Sequence, residues 1–301
     1  MNDRISQDNA QREQRSLWEE AWRRFRKNRL AILSLAFLLL LAAVAAATMI
    51  WDFADGRAFY NAHVIKQNLR LRLKGPSAEH IFGLDEFGRD ILSRLIYGSR
   101  ISLQVGLIAV SISLVVGGLI GAVSGYFGGR LDNVLMRLMD VQMAIPTILM
   151  AIVISSVLGP GLFNLMVAVG ITYIPKFARL TRASVLSIKD QEFIEAARAM
   201  GASHKRIICL YILPNCAAPL IVQSTLSVAN AILFAATLSF LGLGIQPPYP
   251  EWGGMLSAAR PYLRNSAHMS IFPGLAIMFT ILSLNFLGDG LRDALDPKQK
   301  R

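Results

Sequence analysis

For a chain of 301 residues, charge is scarce: 17% of positions are Asp, Glu, Lys or Arg, against 53% hydrophobic. A soluble domain carries closer to a quarter of charged residues. Cysteine is rarer still, with Cys209 and Cys216 alone. Both fall on or near the side assigned below to the cytoplasm, where thiols stay reduced, which excludes a disulfide or redox pair. The four histidines, His63, His80, His204 and His268, are scattered and form no metal-ligand spacing. Neither G-x-x-x-x-G-K-[ST] nor G-x-G-x-x-G occurs, so no phosphate-cradling loop is present. No Ser or Cys looks activated as a nucleophile. The sequence offers no catalytic residue, no metal site and no cofactor of its own.

What the chain has instead is long apolar runs, with a mean hydropathy of +0.44. Residues 30–50 are uncharged throughout and would span about 30 Å as a helix, the thickness of a hydrocarbon core. The run resembles a signal sequence in its basic lead-in and in Ala45-Ala46-Ala47, but it is too long for a signal core and reads as an uncleaved first span. Further spans are expected within 101–129 and at about 141–158, 162–175, 217–243 and 270–288. This gives an all-α polytopic membrane protein with six transmembrane helices. Residues 1–29 precede the first span, 51–100 form an extracytoplasmic loop, 101–288 hold a five-helix core, and 289–301 are a tail.

Orientation follows from basic residues near span ends. Residues 15–29 carry six, whereas 51–65 carry only Arg57. The six spans then place both termini, with Lys298, Lys300 and Arg301, in the cytoplasm, together with 21 of the 31 Lys and Arg. The net charge of +11 is thus a positive-inside bias, not a nucleic-acid footprint.

Smaller patterns sit inside this frame. Trp18, Trp22 and Phe25 recur at helical spacing among charges, which suits an amphipathic helix on the membrane surface or against the protein's own cytoplasmic end. Gly117, Gly121 and Gly125 make a small-residue stripe that lets two helices approach closely. No span contains a carboxylate, His or Lys, which argues against a proton-driven carrier or ion pump. In the fifth span, Gln223, Ser227, Asn230 and Thr237 share one face. They are either interhelical hydrogen-bonding groups or the wall of a path for a polar solute, as in a channel or secondary carrier.

The segment EAARAMGASHKRIICLYILPN, residues 195–215, is unlike its surroundings. Asp190 is placed to cap a helix, Gly201 to stop it in a left-handed conformation, and Ser203 to start another. Pro214 ends the unit. The spacing predicts a helix–turn–helix at 190–215, projecting into the cytoplasm. Its alanines keep the surface low, and Glu195 offers a charge to a partner.

This segment resembles the E-A-A-x-x-x-G-x(9)-I-x-L-P signature of permease subunits in binding-protein-dependent ABC importers, with Glu195, Ala196, Ala197, Gly201, Leu213 and Pro214 on the motif and Tyr211 in the usual Ile place. FGLDEFGRDILSRLIYG at 82–98, LSFLGLG at 238–244 with the prolines and PEWG that follow, and GDGLRDALDP at 288–297 look like the C-type permease of dipeptide or oligopeptide importers, or their nickel and glutathione relatives. The resemblance implies a type I importer fold and a coupling helix gripped by a cytosolic ATPase. It implies as partners a homologous permease, two ABC ATPases that bind ATP and Mg, and an extracytoplasmic substrate-binding protein. It also implies that Asp85, Arg89, Asp90, Pro247, Pro248, Glu251 and Trp252 form an outer gate or contact the binding protein.

Overall fold

The computed structural model describes residues 17–295. Among them there is no β-strand, only an isolated bridge pairing Leu84 with Asp90. The longer helices are α1 Leu17–Phe25, α2 Arg29–Ala54, α3 Ile91–Phe127, α4 Gly129–Ala144, α5 Thr147–Leu158, α6 Leu162–Ile188, α7 Glu192–Ala199, α8 Ala217–Phe240, α9 Trp252–Ala259 and α10 His268–Leu295. The all-α reading holds. The residues beyond Leu295 named above, and the side chain of Trp18, lie outside what is described.

Four helices, α2, α3, α8 and α10, are each long and apolar enough to cross a membrane, and α4 with α5 forms a fifth only as a pair bent by 91°. The third span expected at 141–158 is therefore broken. The cause is Pro146, which disfavours helical backbone at the residue before it; Ile145 is extended, at φ −87° and ψ 128°. The fourth span, expected to stop at Pro175, also differs. Helix α6 runs through Pro175 to Ile188 without interruption, carrying Lys176, Arg179 and Arg182 on its continuation.

The core of the fold is the pairing of α3 with α6. Helix α3 has 37 residues, about 55 Å of rod, so both its ends reach beyond a core of about 30 Å. The glycine stripe lies on the face that meets α6. A Cβ at Gly117 would sit 2.5 Å from Ile174 O, one at Gly121 would overlap Ala178 O, and one at Gly125 would be 2.9 Å from Val185 Cβ. Bare backbone lets the rods touch. Ser113 Oγ then donates across the seam to Gly170 O at 2.6 Å.

Helix α2 packs mainly on α10 and, less extensively, on α3. At its start, Phe25 of α1 is buried with Ala31 and Ala294, and a Cβ on Gly290 would lie 3.2 Å from the Phe25 ring. The amphipathic α1 thus turns Phe25 inward, whereas Trp22 is 55% exposed.

Candidate functional site

Helix α7 starts at Glu192 after Gln191, which makes no side-chain cap bond. The cap expected of Asp190 is not formed. Glu192 and Glu195 still place negative charge in the first turn, where the helix dipole favours it. The stop is as the sequence predicts: Gly201 has φ +79°, and Ala202 N–H donates to Ala197 O at 3.0 Å, closing a Schellman-type end. Ser203 Oγ then accepts from Arg206 N–H at 3.4 Å.

Pro214 does not end the unit. Helical turns at His204–Arg206, Ile207–Ile212 and Leu213–Asn215 lead almost directly into α8, and the middle one is a π-turn. Proline lacks an N–H and crowds the carbonyl four residues earlier. The wider π-turn just before it absorbs that misfit.

This module has two sides. Ile194, Ala197, Ile207 and Ile212 join the main hydrophobic core, and burying each isoleucine contributes about 2 kcal/mol. Glu195, Ala196, Gly201 and Pro214 are exposed, Leu213 is half-buried, and Met200 is 78% exposed. A rigid base thus carries a low, open crest.

Two anchors of the module were not legible in the sequence. Tyr126, at the end of α3, hydrogen-bonds through its hydroxyl to His204 Nδ1 at 2.8 Å. The Arg198 guanidinium lies over the same Tyr126 ring, 5.5 Å from its centroid, a cation–π arrangement. Nearby, Asp132 of α4 accepts two bonds of 2.6 Å from Arg182 of α6 and a third from Ser124 of α3. Arg179 pairs with Asp140. These contacts clamp the ends of α3, α4 and α6 together beside the module.

At the opposite end of α3, the 82–98 block is folded inward. Asp85, 5% exposed, accepts from Phe87 N–H, Arg89 N–H and Arg89 Nε, the last at 2.6 Å. Arg89 also reaches Glu86 at 3.2 Å. Burial, with the Asp85 charge beside it, holds the Glu86 carboxyl above the usual range. Asp90 caps α3 by accepting from Ser93 N–H at 2.8 Å, while its other oxygen meets His80 Nδ1. Arg94 donates to Val64 O and Pro248 O, stitching the long loop to the loop after α8.

Glu251 and Trp252 are likewise internal. Glu251 caps α9 through Gly253 N–H at 2.9 Å and Gly254 N–H at 2.7 Å, and burial pushes its carboxyl up against the pull of those amides. Trp252 is 1% exposed and its Nε1 donates to Leu95 O at 3.0 Å. The expected outer contact set is therefore corrected in its geometry. Asp85, Arg89, Glu251 and Trp252 are buried as the framework of the cap, because their polar atoms are spent inside it. Pro247 and Pro248 are exposed and Asp90 is half-buried. A cavity of about 220 Å³ opens next to Glu86, Arg89 and Arg94, walled by Gln246, Pro247 and Tyr249.

The polar stripe of α8 divides. Gln223 Nε2 donates to Ser227 Oγ at 2.9 Å, and Ser227 is fully buried. Asn230 is exposed and donates to Leu226 O at 2.9 Å; Thr237 is half-buried and donates to Leu233 O at 2.8 Å. Asn230 and Thr237 make no bond to another helix. Among the described residues, no group of three or more His, Cys, Asp and Glu is placed to hold a metal.

Comparison with known proteins completes the site. Residues 117–301 match the model of the binding-protein-dependent transport system inner membrane component, and residues 16–76 match the N-terminal TM domain of oligopeptide transport permease C. The chain is 46% identical to the dipeptide transport system permease protein DppC of Alkalihalophilus pseudofirmus, over 95% of this chain and 91% of that one. It is 45% identical to the di/tripeptide transport system permease protein DppC of Pseudomonas aeruginosa, over 94% and 92%, and 46% identical to the glutathione transport system permease protein GsiD of Escherichia coli, over 95% and 92%. A chain of the MetNI methionine ABC transporter in an inward-facing conformation shares the fold, with a TM-score of 0.56 at 20% identity over 68% of this chain and 98% of that one. With the family model matched over more than half of the chain and relatives matched over nearly their whole length, the chain belongs to the binding-protein-dependent transport system inner membrane components, the permease subunits of ABC importers.

Proposed function

We propose that this permease carries di- or oligopeptides across the cytoplasmic membrane, with both termini in the cytoplasm. It works paired with a homologous permease, two ATPases that bind ATP and Mg, and an extracytoplasmic binding protein. The observation that carries this reading is the two-sided module at 192–215. Ile194 and Ala197 are sealed in the core while Glu195 and Ala196 stand exposed beside them, so force applied at the crest reaches the spans. Glu195, Ala196, Ala197, Gly201, Leu213 and Pro214 form the ATPase-coupling element in this reading.

The exposed Asn230 and the half-buried Thr237 have polar side chains engaged only with their own helix, which supports a path along that face of α8, continued by Gln223 and Ser227. Asp85, Arg89, Asp90, Glu251 and Trp252 shape the outer cap from within, and the exposed Pro247–Pro248 edge meets the loaded binding protein. Peptide cargo is supported by relatives named for dipeptides and di/tripeptides. Glutathione, itself a small peptide, is the second reading, favoured by the relative named for it.

The test is reconstitution of the co-purified complex into vesicles with its binding protein. ATP-dependent accumulation of a labelled dipeptide, outcompeted weakly by glutathione, supports the first reading. Preference for glutathione selects the second, and uptake without ATP would overturn both.

A further inference from the structure

Beyond Pro175, helix α6 carries Lys176, Arg179 and Arg182. Arg182 is held by Asp132 and Arg179 by Asp140, both acids of α4. Lys176 is exposed and has no ion pair among the described residues. It is also the innermost of the three, about 9 Å along the helix from Arg182 toward the bilayer. Ile174 and Ala178, on either side of it, pack on Gly117 and Gly121. Lys176 therefore lies level with the uncharged run 101–129 of α3. A charge at such a depth is costly unless it serves a path or meets an opposite charge, and Asp132 and Asp140 are already taken.

The contact between α6 and α8 sets what Lys176 faces. The two helices run antiparallel, since the module at 192–215 joins the end of one to the start of the other. Tyr173 of α6 meets Phe234 of α8 edge-on, with ring centroids 6.3 Å apart. Lys176 is one turn from Tyr173 toward the module, and Asn230 is one turn from Phe234 in the same direction. Around its helix Lys176 stands about 60° back from Tyr173, and Asn230 about 40° back from Phe234. In antiparallel helices these rotations turn both side chains to the same side of the aromatic contact. Asn230 is exposed, and its Nδ2 is spent on Leu226 O, which leaves Oδ1 as an acceptor.

An uncompensated ammonium beside an amide oxygen matches a carboxylate with an N–H next to it, the chemistry of a peptide C-terminus. Arg179 adds no net charge, because Asp140 cancels it. We propose that Lys176 receives the C-terminal carboxylate of the cargo once it has passed Tyr173 and Phe234, with Asn230 Oδ1 accepting from the terminal peptide N–H. This rests on the reading that the Asn230 face of α8 lines the path. It makes a free carboxylate a preference of the permease itself, apart from the choice made by the binding protein.

The test uses the purified complex of permeases and ATPases and has two readouts. In the first, without binding protein, acetylation of lysines by N-hydroxysuccinimidyl acetate is followed by mass spectrometry. Millimolar dipeptide should slow labelling of Lys176 but not of the exposed Lys66, and the same dipeptide amidated at its C-terminus should protect neither. In the second, ATP-driven uptake is measured in vesicles with the binding protein. Lys176→Gln should lower dipeptide uptake about tenfold, as loss of a hydrogen bond to a charged group does, at an unchanged melting temperature. Lys176→Arg should retain most of the uptake. Equal labelling with and without dipeptide, or equal protection by the amide, overturns the proposal. So does normal uptake by Lys176→Gln, which would leave the lysine as an anchor of α6 near the interface, or a loss shared in full by Lys176→Arg. Failure of the unaltered complex to take up dipeptide would refute the peptide reading itself, and this one with it.

Discussion

Gln142 Nε2 of α4 donates at 2.7 Å to Ile171 O of α6, the carbonyl that Pro175, four residues on, has no N–H to satisfy. In hydrocarbon an unsatisfied carbonyl costs several kcal/mol. A side chain from a neighbouring helix therefore lets α6 continue where its own proline would have stopped it. This contact also fixes the bent α4–α5 pair against α6.

Replacing Gln142 by Leu should orphan Ile171 O and lower stability by about 1–3 kcal/mol, seen as a reduced melting temperature in mild detergent. Pro175→Ala supplies an N–H that bonds Ile171 O within the helix. The double variant should recover most of the loss. No recovery would mean that Gln142 matters for something other than the proline.

The two faces of α3 should answer differently to a methyl group. At Gly121 a Cβ overlaps Ala178 O, whereas at Gly118 it meets only Thr181 Oγ at 3.9 Å. Gly121→Ala should destabilise by about 1–3 kcal/mol through overpacking. Gly118→Ala should be neutral or gain up to about 1 kcal/mol of helix propensity. Thermal unfolding of the two, side by side, checks this; equal effects would remove the close approach of α3 and α6 as the reason for the glycines.

Features set by nearby residues were legible in the sequence. Gly117, Gly121 and Gly125 announce a helix contact by spacing alone, and Gly201 and Ser203 announce a stop and a start because their partners lie within six residues. Much of what was missed depends on distant partners, although the unused cap at Asp190, the continuation past Pro214 and the break at Pro146 are local. Pro175 reads as an end because its relief comes from Gln142, on another helix. The charges of the 82–98 block read as interfacial because nothing in the sequence shows Asp85 turning inward onto Arg89 and Arg94. Tyr126 and His204 are 78 positions apart, and neither is unusual in its own surroundings.

The α8 stripe separates transport from stability. A Cβ on Gly288 of α10 would lie 2.7 Å from Leu226 Cδ2, so Leu226 is packed against α10. Leu226→Ala should cost about 2–5 kcal/mol, as large-to-small core changes do. Asn230→Leu replaces an exposed polar group and should leave the melting temperature within about 1 kcal/mol equivalent while lowering uptake. If Asn230→Leu transports normally, the face of α8 that carries it does not line the path.

Glu195 and Tyr126 lie at different depths of one module, the first on its exposed crest and the second beneath it at the end of α3. Glu195→Arg reverses a charge on the exposed crest and touches no span, so insertion and thermal stability should be unchanged while ATP-driven uptake is lost. Tyr126→Phe acts from below: it deletes the bond to His204 but keeps the ring under Arg198. The loss of a single hydrogen bond, worth about 1 kcal/mol, should leave ATPase subunits bound yet lower the solute moved per ATP hydrolysed. Measuring co-purified ATPase, hydrolysis and uptake on the same vesicles distinguishes the two. If Glu195→Arg retains the ATPases and normal uptake, the crest is not where they grip. If Tyr126→Phe lowers hydrolysis and uptake in equal proportion, the tyrosine supports the fold of the module without transmitting its movement to α3.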